Sequence, residues 1–231
     1  MKRLINIILL SGLFICPELR GEITFTKYAG AFLEKGVGAR PFGMGGAFTG
    51  LSEDVTAIYW NPAGLIKIKR MEFHGMHAER FSGIVNWDFL GVAARIDQKT
   101  SLGIGFFRLG IDGIPLTRLV DPSRELGEII IDNQGREIIN TPYAYKYVND
   151  SESALYFSFA RKKSKKISYG GSVKFIYKAV GVNNAWGLGF DVGIMYNPLD
   201  SLKLGLLLSD GTSTLLAWDT GRKELIPPHL R

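Results

Sequence analysis

The sequence contains a single cysteine, Cys16, and it lies in an N-terminal stretch that reads as a leader. Met1, Lys2 and Arg3 form a basic start, and residues 4–15 are apolar except for Asn6, Ser11 and Gly12. A basic start followed by about a dozen apolar residues describes a secretory signal, too short for a spanning helix of about 20 residues. Residues 1–21 are therefore expected to be removed on export, with Leu19-Arg20-Gly21 before Glu22 as the cleavage site. Ile15 stands where a lipidation signal needs a small residue, so Cys16 is expected to leave with the leader. The mature chain then carries no thiol, and disulfides and thiolate metal sites are excluded.

Other absences narrow the field further. Behind the leader no apolar stretch reaches the length of a membrane helix, so a membrane role would fall to strands. Histidine is scarce, at three residues. His74 and His77 are three apart in a strand-like segment, which points them to opposite faces and prevents a shared metal. No nucleophile, base and orienting group stand in a recognisable set. No enzyme, catalytic residue, metal ligand or cofactor is expected. The net charge of +6 raises nucleic acid as a partner, yet the basic residues are scattered apart from Arg161, Lys162, Lys163, Lys165 and Lys166. That run sits between two strand-like segments and reads as a solvated turn, with a site for acidic lipid or a partner as the alternative. Nucleic acid is discarded.

Glycine, at 28 residues, and aromatics, at 12%, are abundant. Glycine weakens helices and aromatics favour pleated surfaces, so the composition points to an all-β chain. Residues 22–69 differ in character from the C-terminal remainder of the chain. Between Gly36 and Gly50 the glycines are too dense for a regular helix and no period-two alternation is present, which predicts a compact irregular segment. A short helix is expected over residues 52–60, capped by Ser52, with Glu53 and Asp54 placed well for the helix dipole. Asn61-Pro62 ends it, because the residue before proline avoids the helical region.

From residue 70 to 231 the pattern is one of strands. The clearest places Trp186, Leu188, Phe190, Val192, Ile194 and Tyr196 on one face and Ala185, Gly187, Gly189, Asp191, Gly193 and Met195 on the other. Bulky apolar groups against small or polar ones mark a strand whose faces meet different media. Trp186 and Tyr196 are ten residues apart, roughly 25 Å of height for a strand tilted by about 40°, which matches an apolar band between two aromatic girdles. Weaker versions occur at Leu102, Ile104 and Phe106, at Leu155, Phe157 and Phe159, at Tyr169, Val173, Phe175 and Tyr177, and at Leu202, Leu204, Leu206 and Leu208. With two less regular segments near residues 71–78 and 85–96, about seven strands are expected. Asp191, with Lys174 and Lys178 on the matching face of the expected neighbouring strand, is expected to form a lumenal ion pair.

Connection lengths supply an independent test. Residues 97–100, 161–166 and 197–201 are short and rich in turn formers, whereas residues 110–153 and 210–228 are long. Both long connections fall at odd positions, where strand counting from a periplasmic start places the outer side. A transmembrane wall has to close, because an open edge in lipid leaves backbone groups unpaired at several kcal/mol each. The chain is therefore expected to be the N-terminal portion of a longer antiparallel barrel.

Residues 36–65 resemble the PorV/PorQ-type outer-membrane proteins, relatives of the long-chain fatty-acid transporter (FadL) family. The resemblance rests on Gly38-Ala39-Arg40-Pro41, Gly43-Met44-Gly45-Gly46-Ala47-Phe48, Asp54, and above all Tyr59-Trp60-Asn61-Pro62-Ala63-Gly64-Leu65. It implies an outer-membrane barrel of about fourteen strands with the N-terminal segment folded inside as a hatch, in which Asn61, Pro62, Ala63 and Gly64 take the motif's place. Gly43, Gly45, Gly46 and Gly50 are expected to let the hatch backbone pack closely against a wall lined with Gly and Ser. The implied partners are outer-membrane lipid, the barrel-insertion machinery, and either hydrophobic small molecules or proteins of a type IX-like secretion system. The implied function is hatch-gated passage of hydrophobic or amphipathic molecules. Its alternative is a protein-binding barrel of a secretion system, with the hatch as fixed filler.

Overall fold

The computed structural model describes Ile23–Thr24 and residues 29–231; the expected leader, its cleavage site and Cys16 lie outside the described residues. Alternation of bulky and small residues produces one large sheet, mostly antiparallel. Its strands are β1 (Ile23–Thr24), β2 (Met71–Arg80), β3 (Val85–Arg95), β4 (Thr100–Leu119), β7 (Pro142–Lys162), β8 (Ile167–Val180), β9 (Asn183–Leu199), β10 (Leu202–Ser209), β11 (Thr214–Trp218), β12 (Lys223–Ile226) and β13 (His229–Leu230). A separate small hairpin, β5 (Ile129–Ile131) with β6 (Glu137–Ile139), sits in the longest connection. From β2 to β9 each strand pairs with the next large-sheet strand in the chain, as a meander. No described helix is long and apolar enough to cross a membrane.

The register aligns residues of one kind into rows across the sheet. Phe73, Val92, Ile104, Phe157, Val173 and Phe190 are successive register partners from β2 to β9. Most of this row, with its neighbours Leu102, Phe159, Leu188 and Val192, is exposed on a face that none of the described residues covers. Further along the strands the same face turns polar: His77 pairs with Asp88, and Asp88 with Arg108. The apolar rows therefore form a bounded belt. On the opposite face the glycines, serines and alanines are buried under the N-terminal segment.

Three sequence expectations need correction. The connection over residues 110–153 is mostly strand, because β4 and β7 stay paired from Thr100 opposite Arg161 to Leu119 opposite Pro142. Both faces of this extension are wet, so no hydrophobic period marks it; Arg118 instead lies over the rings of Tyr143 and Tyr145. The connection over residues 210–228 likewise contains β11 and β12. β10 and β11 both run antiparallel to β9, pairing with Val192–Leu199 and Ala185–Leu188 respectively. They form one strand interrupted at residues 210–213, where Asp210 and Ser213 have left-handed backbone (φ 53° and 60°). The interruption reverses side-chain parity: Leu207 is buried before it, Leu216 after it. A one-residue offset flips faces in this way because the strand period is two.

The third correction concerns the helix expected over residues 52–60, which is shorter. α1 (Ala39–Gly43) precedes it, and α2 covers only Ala57–Trp60. Ser52 does not cap it; its hydroxyl donates to the Phe48 carbonyl, and the Asp54 carboxylate accepts the Thr56 N–H at 2.8 Å. A carboxylate two residues ahead of its donor closes the turn, which leaves fewer residues for the helix. A 3-10 helix over Pro62–Lys67 follows, and then β2 begins.

Candidate functional site

The site is the contact between the N-terminal segment and the face of the sheet it covers. The segment first builds its own apolar centre. Trp60 donates its indole N–H to the Val37 carbonyl at 2.8 Å, and the Tyr59 hydroxyl donates to Leu33 and accepts the Gly36 N–H. Phe48 packs edge-on against Trp60, and Tyr59 lies between Phe107 and Tyr156 of the sheet. Burial raises the Tyr59 phenol above its ordinary value. The large apolar residues of the segment divide into two groups. Phe48, Ile58, Tyr59 and Trp60 are fully packed, whereas Met44 is exposed and Phe42 half-buried. A solid core occupies the centre of the segment.

Asn61 joins the segment to the sheet. It is fully buried, and extended backbone at this residue (φ −172°) separates α2 from the following 3-10 helix. Its Nδ2 donates to the carbonyls of Thr49, at the end of the Gly-rich run, and Ile194, on β9, both at 3.1 Å. Its Oδ1 accepts the Ala63 N–H at 3.2 Å and so caps the Pro62–Lys67 helix. Every polar atom of the amide is used, as burial requires. The Ala63 carbonyl accepts from Ser168 of β8, also at 3.1 Å.

These contacts need a floor without side chains. Gly170 and Gly193 are register partners on β8 and β9. A Cβ on Gly170 would stand 2.6 Å from the Ala63 nitrogen, and one on Gly193 would overlap the Asn61 side-chain oxygen. Ile58 descends in the same way onto Gly103 and Gly105 of β4. The small-residue face is thus shaped by what lies on it. Of the four glycines expected to approach the wall, Gly50 does so and Gly43, Gly45 and Gly46 do not. Gly43 and Gly45 have open space around them, and Gly46 meets only the Trp60 ring. Gly45 and Gly46 serve the turn, with φ of 62° and 83°. The close approaches to neighbouring backbone belong to Gly50, against β10, and Gly64, against Ser52.

Two charged anchors hold the edges. Glu53 bonds to Lys203 of β10 at 2.9 Å and to Arg40 at 3.3 Å. The Lys203 hydrogen bond, chiefly, holds the Glu53 carboxyl below its ordinary value. On the other side Lys178 pairs with Glu152 and donates to the Ala29 carbonyl. Of the lysines expected near Asp191, only Lys174 engages it, at 2.9 Å, and it binds Asp210 at the same distance. Lys178 does not reach Asp191, because its position opposite Glu152 gives it a nearer carboxylate. Asp210 was not legible as a partner, since without the strand break its parity would turn it to the other face.

Trp186 and Tyr196 lie on the uncovered face, 65% and 42% exposed. His74 and His77 sit on opposite faces of β2: His77 bonds to Asp88 and Glu79, and His74 lies beside Phe89. No group of three potential metal ligands occurs among the described residues. What the fold and site define is a large antiparallel sheet with an apolar belt on one face and a pinned irregular segment on the other. No protein-family model, curated protein or solved structure matches the chain.

Proposed function

We propose that this sheet is part of the wall of an outer-membrane β-barrel, plugged by residues 22–69, and that the barrel passes hydrophobic or amphipathic small molecules when the plug shifts. The observation that carries this reading is the inverted sheet. Its bulky apolar residues form a continuous uncovered belt, while its small and charged residues are buried beneath the segment. In water such a belt is a large exposed apolar patch; in lipid it is the ordinary outer surface of a barrel. The outer edge of β2 has no partner among the described residues. Such an edge cannot remain open in a bilayer, so the wall must close. Trp186 and Tyr196 then stand at the two interfaces.

Passage requires the segment to move, since its aromatic core is solid. The pins at Asn61 and Glu53 are polar, and they are the elements on which a gate would act. The experiment is twofold: fractionation of the cell envelope, expected to place the chain in the outer membrane, and growth on long-chain fatty acids or aromatic hydrocarbons, expected to fall when the gene is deleted. Unchanged growth would remove the passage function while leaving the barrel.

A second reading, a fixed plug in a protein-binding barrel of a secretion system, is favoured by the number of independent anchors. Asn61, Ser168, Lys203 and Lys178 all tie the segment to the sheet. Co-purification with secreted cargo, together with a pore that never conducts, would select it.

A further inference from the structure

The run of basic residues read from the sequence as a solvated turn does not stand alone. At the end of the sheet where β3 meets β4, β7 meets β8 and β9 meets β10, a cleft of about 260 Å3 opens on the face that carries the N-terminal segment. Six cations line it: Lys67 and Lys69 from the segment's exit, Arg95 from β3, Lys162 from β7, and Lys165 and Lys166 from the β7–β8 turn. No Asp or Glu lines it. All six side chains are exposed, and among the described residues no ion pair engages any of them. The nearest neutralised cation, Lys203, already belongs to Glu53. A second cleft, of about 530 Å3, shares Lys67, Lys165, Lys166 and Asn197 with the first and continues it to the β9–β10 turn, where Asp200 and the paired Lys203 line it and the free positive charge ends.

Six like charges around one concavity raise the local potential, and such a field concentrates anions. The cleft's size and position decide which kind. From Arg95 on β3 to the β7–β8 turn the six free cations cross three strand spacings, about 14 Å at about 4.8 Å each. A phosphate or a single carboxylate touches a small part of that, whereas an extended chain of about four residues spans it. The position argues against a lipid headgroup: Arg95, Lys162 and Ser168 carry the parity of the covered face, opposite to the apolar belt.

We propose that this arc is a docking site for an extended acidic segment of a soluble protein partner. The site holds with or without small-molecule passage, because it uses neither the plug's core nor the belt.

The test is fluorescence anisotropy with a dye-labelled decaglutamate peptide and the full chain in detergent micelles at low salt. Saturable binding is expected, weakened about tenfold or more by the double substitution Lys165→Glu with Lys166→Glu, and largely lost when salt shortens the screening length to about 3 Å. Lys146→Glu, on the exposed β7 extension, is the control and should bind as the parent does. Unchanged heat-modifiable gel mobility verifies that the sheet of the double variant is intact. Equal binding by the double variant and the parent would overturn the proposal. So would displacement of the peptide by equimolar inorganic phosphate, which marks a small-anion site, or a preference for anionic phospholipid vesicles over the peptide.

Discussion

Gly193 and Asn61 meet so closely that the glycine's missing side chain is the space the amide occupies. The amide then reaches past it to the Ile194 carbonyl, 133 residues away in sequence. Gly193→Val should therefore expel residues 61–63 from the sheet while leaving strand pairing in place, at about 1–3 kcal/mol of overpacking. Limited proteolysis would show it as new cleavage between residues 36 and 69 with resistant strands. Persistence of the parent's digestion pattern would mean that the segment is not held at this point.

Asn61→Ala removes three hydrogen bonds without adding bulk. Leaving the Thr49 carbonyl and the Ala63 N–H without their partner costs about 1–3 kcal/mol, enough to shift a closed segment toward open states by about five- to a hundredfold. Planar-bilayer conductance or small-dye uptake should rise by a comparable factor, with heat-modifiable mobility unchanged. An unaltered conductance would separate the amide from gating.

Lys174 is 2% exposed and shared between Asp191 and Asp210. Lys174→Met strands two carboxylates in a buried site and should destabilise the sheet by about 3–5 kcal/mol. The triple change Lys174→Met, Asp191→Asn and Asp210→Asn removes the charges together and should recover most of the loss. Urea unfolding in micelles measures both. Equal destabilisation of the single and triple variants would show that packing, not charge balance, sets the effect.

Acid should loosen the anchor at Glu53. The Glu53 carboxyl is held below its ordinary value, so its contribution is present above the unfolded-state value and is lost as pH falls through the lower folded-state one. The Lys203–Glu53 pair is about a third exposed, and solvent screening keeps the term under about 1 kcal/mol. Protease sensitivity of the segment should rise modestly as pH falls below the ordinary glutamate range. Glu53→Gln should show the looser state already at neutral pH and a flatter acid response.

The parity of β9, from Trp186 to Tyr196, was legible because its two faces meet different surroundings, and the same holds for the parts of β4, β7, β8 and β10 that bear the belt. The importance of Asn61 was legible only through the motif around it. What stayed hidden has physical causes. The extension of β4 and β7 beyond Gly110 has water on both faces, so no period distinguishes it from a loop. The break at residues 210–213 is a backbone event, and Asp210 reaches Lys174 only because of it. The motif glycines at positions 43 and 45 looked like packing residues, yet packing is carried by glycines of the wall, whose role appears only when the segment lies on them.

The most direct measurement is of which medium each face of β9 meets. In a Cys16→Ser background, single cysteines at positions 188 to 192 carry spin labels, and the chain is placed in lipid vesicles. Collision rates with oxygen, which partitions into lipid, and with a water-soluble nickel chelate are then compared. Labels at Leu188, Phe190 and Val192 should collide freely with oxygen and scarcely with nickel, while those at Gly189 and Asp191 show restricted access to oxygen. Strong nickel collisions at Leu188, Phe190 and Val192, or no alternation along the five positions, would contradict a lipid-facing belt.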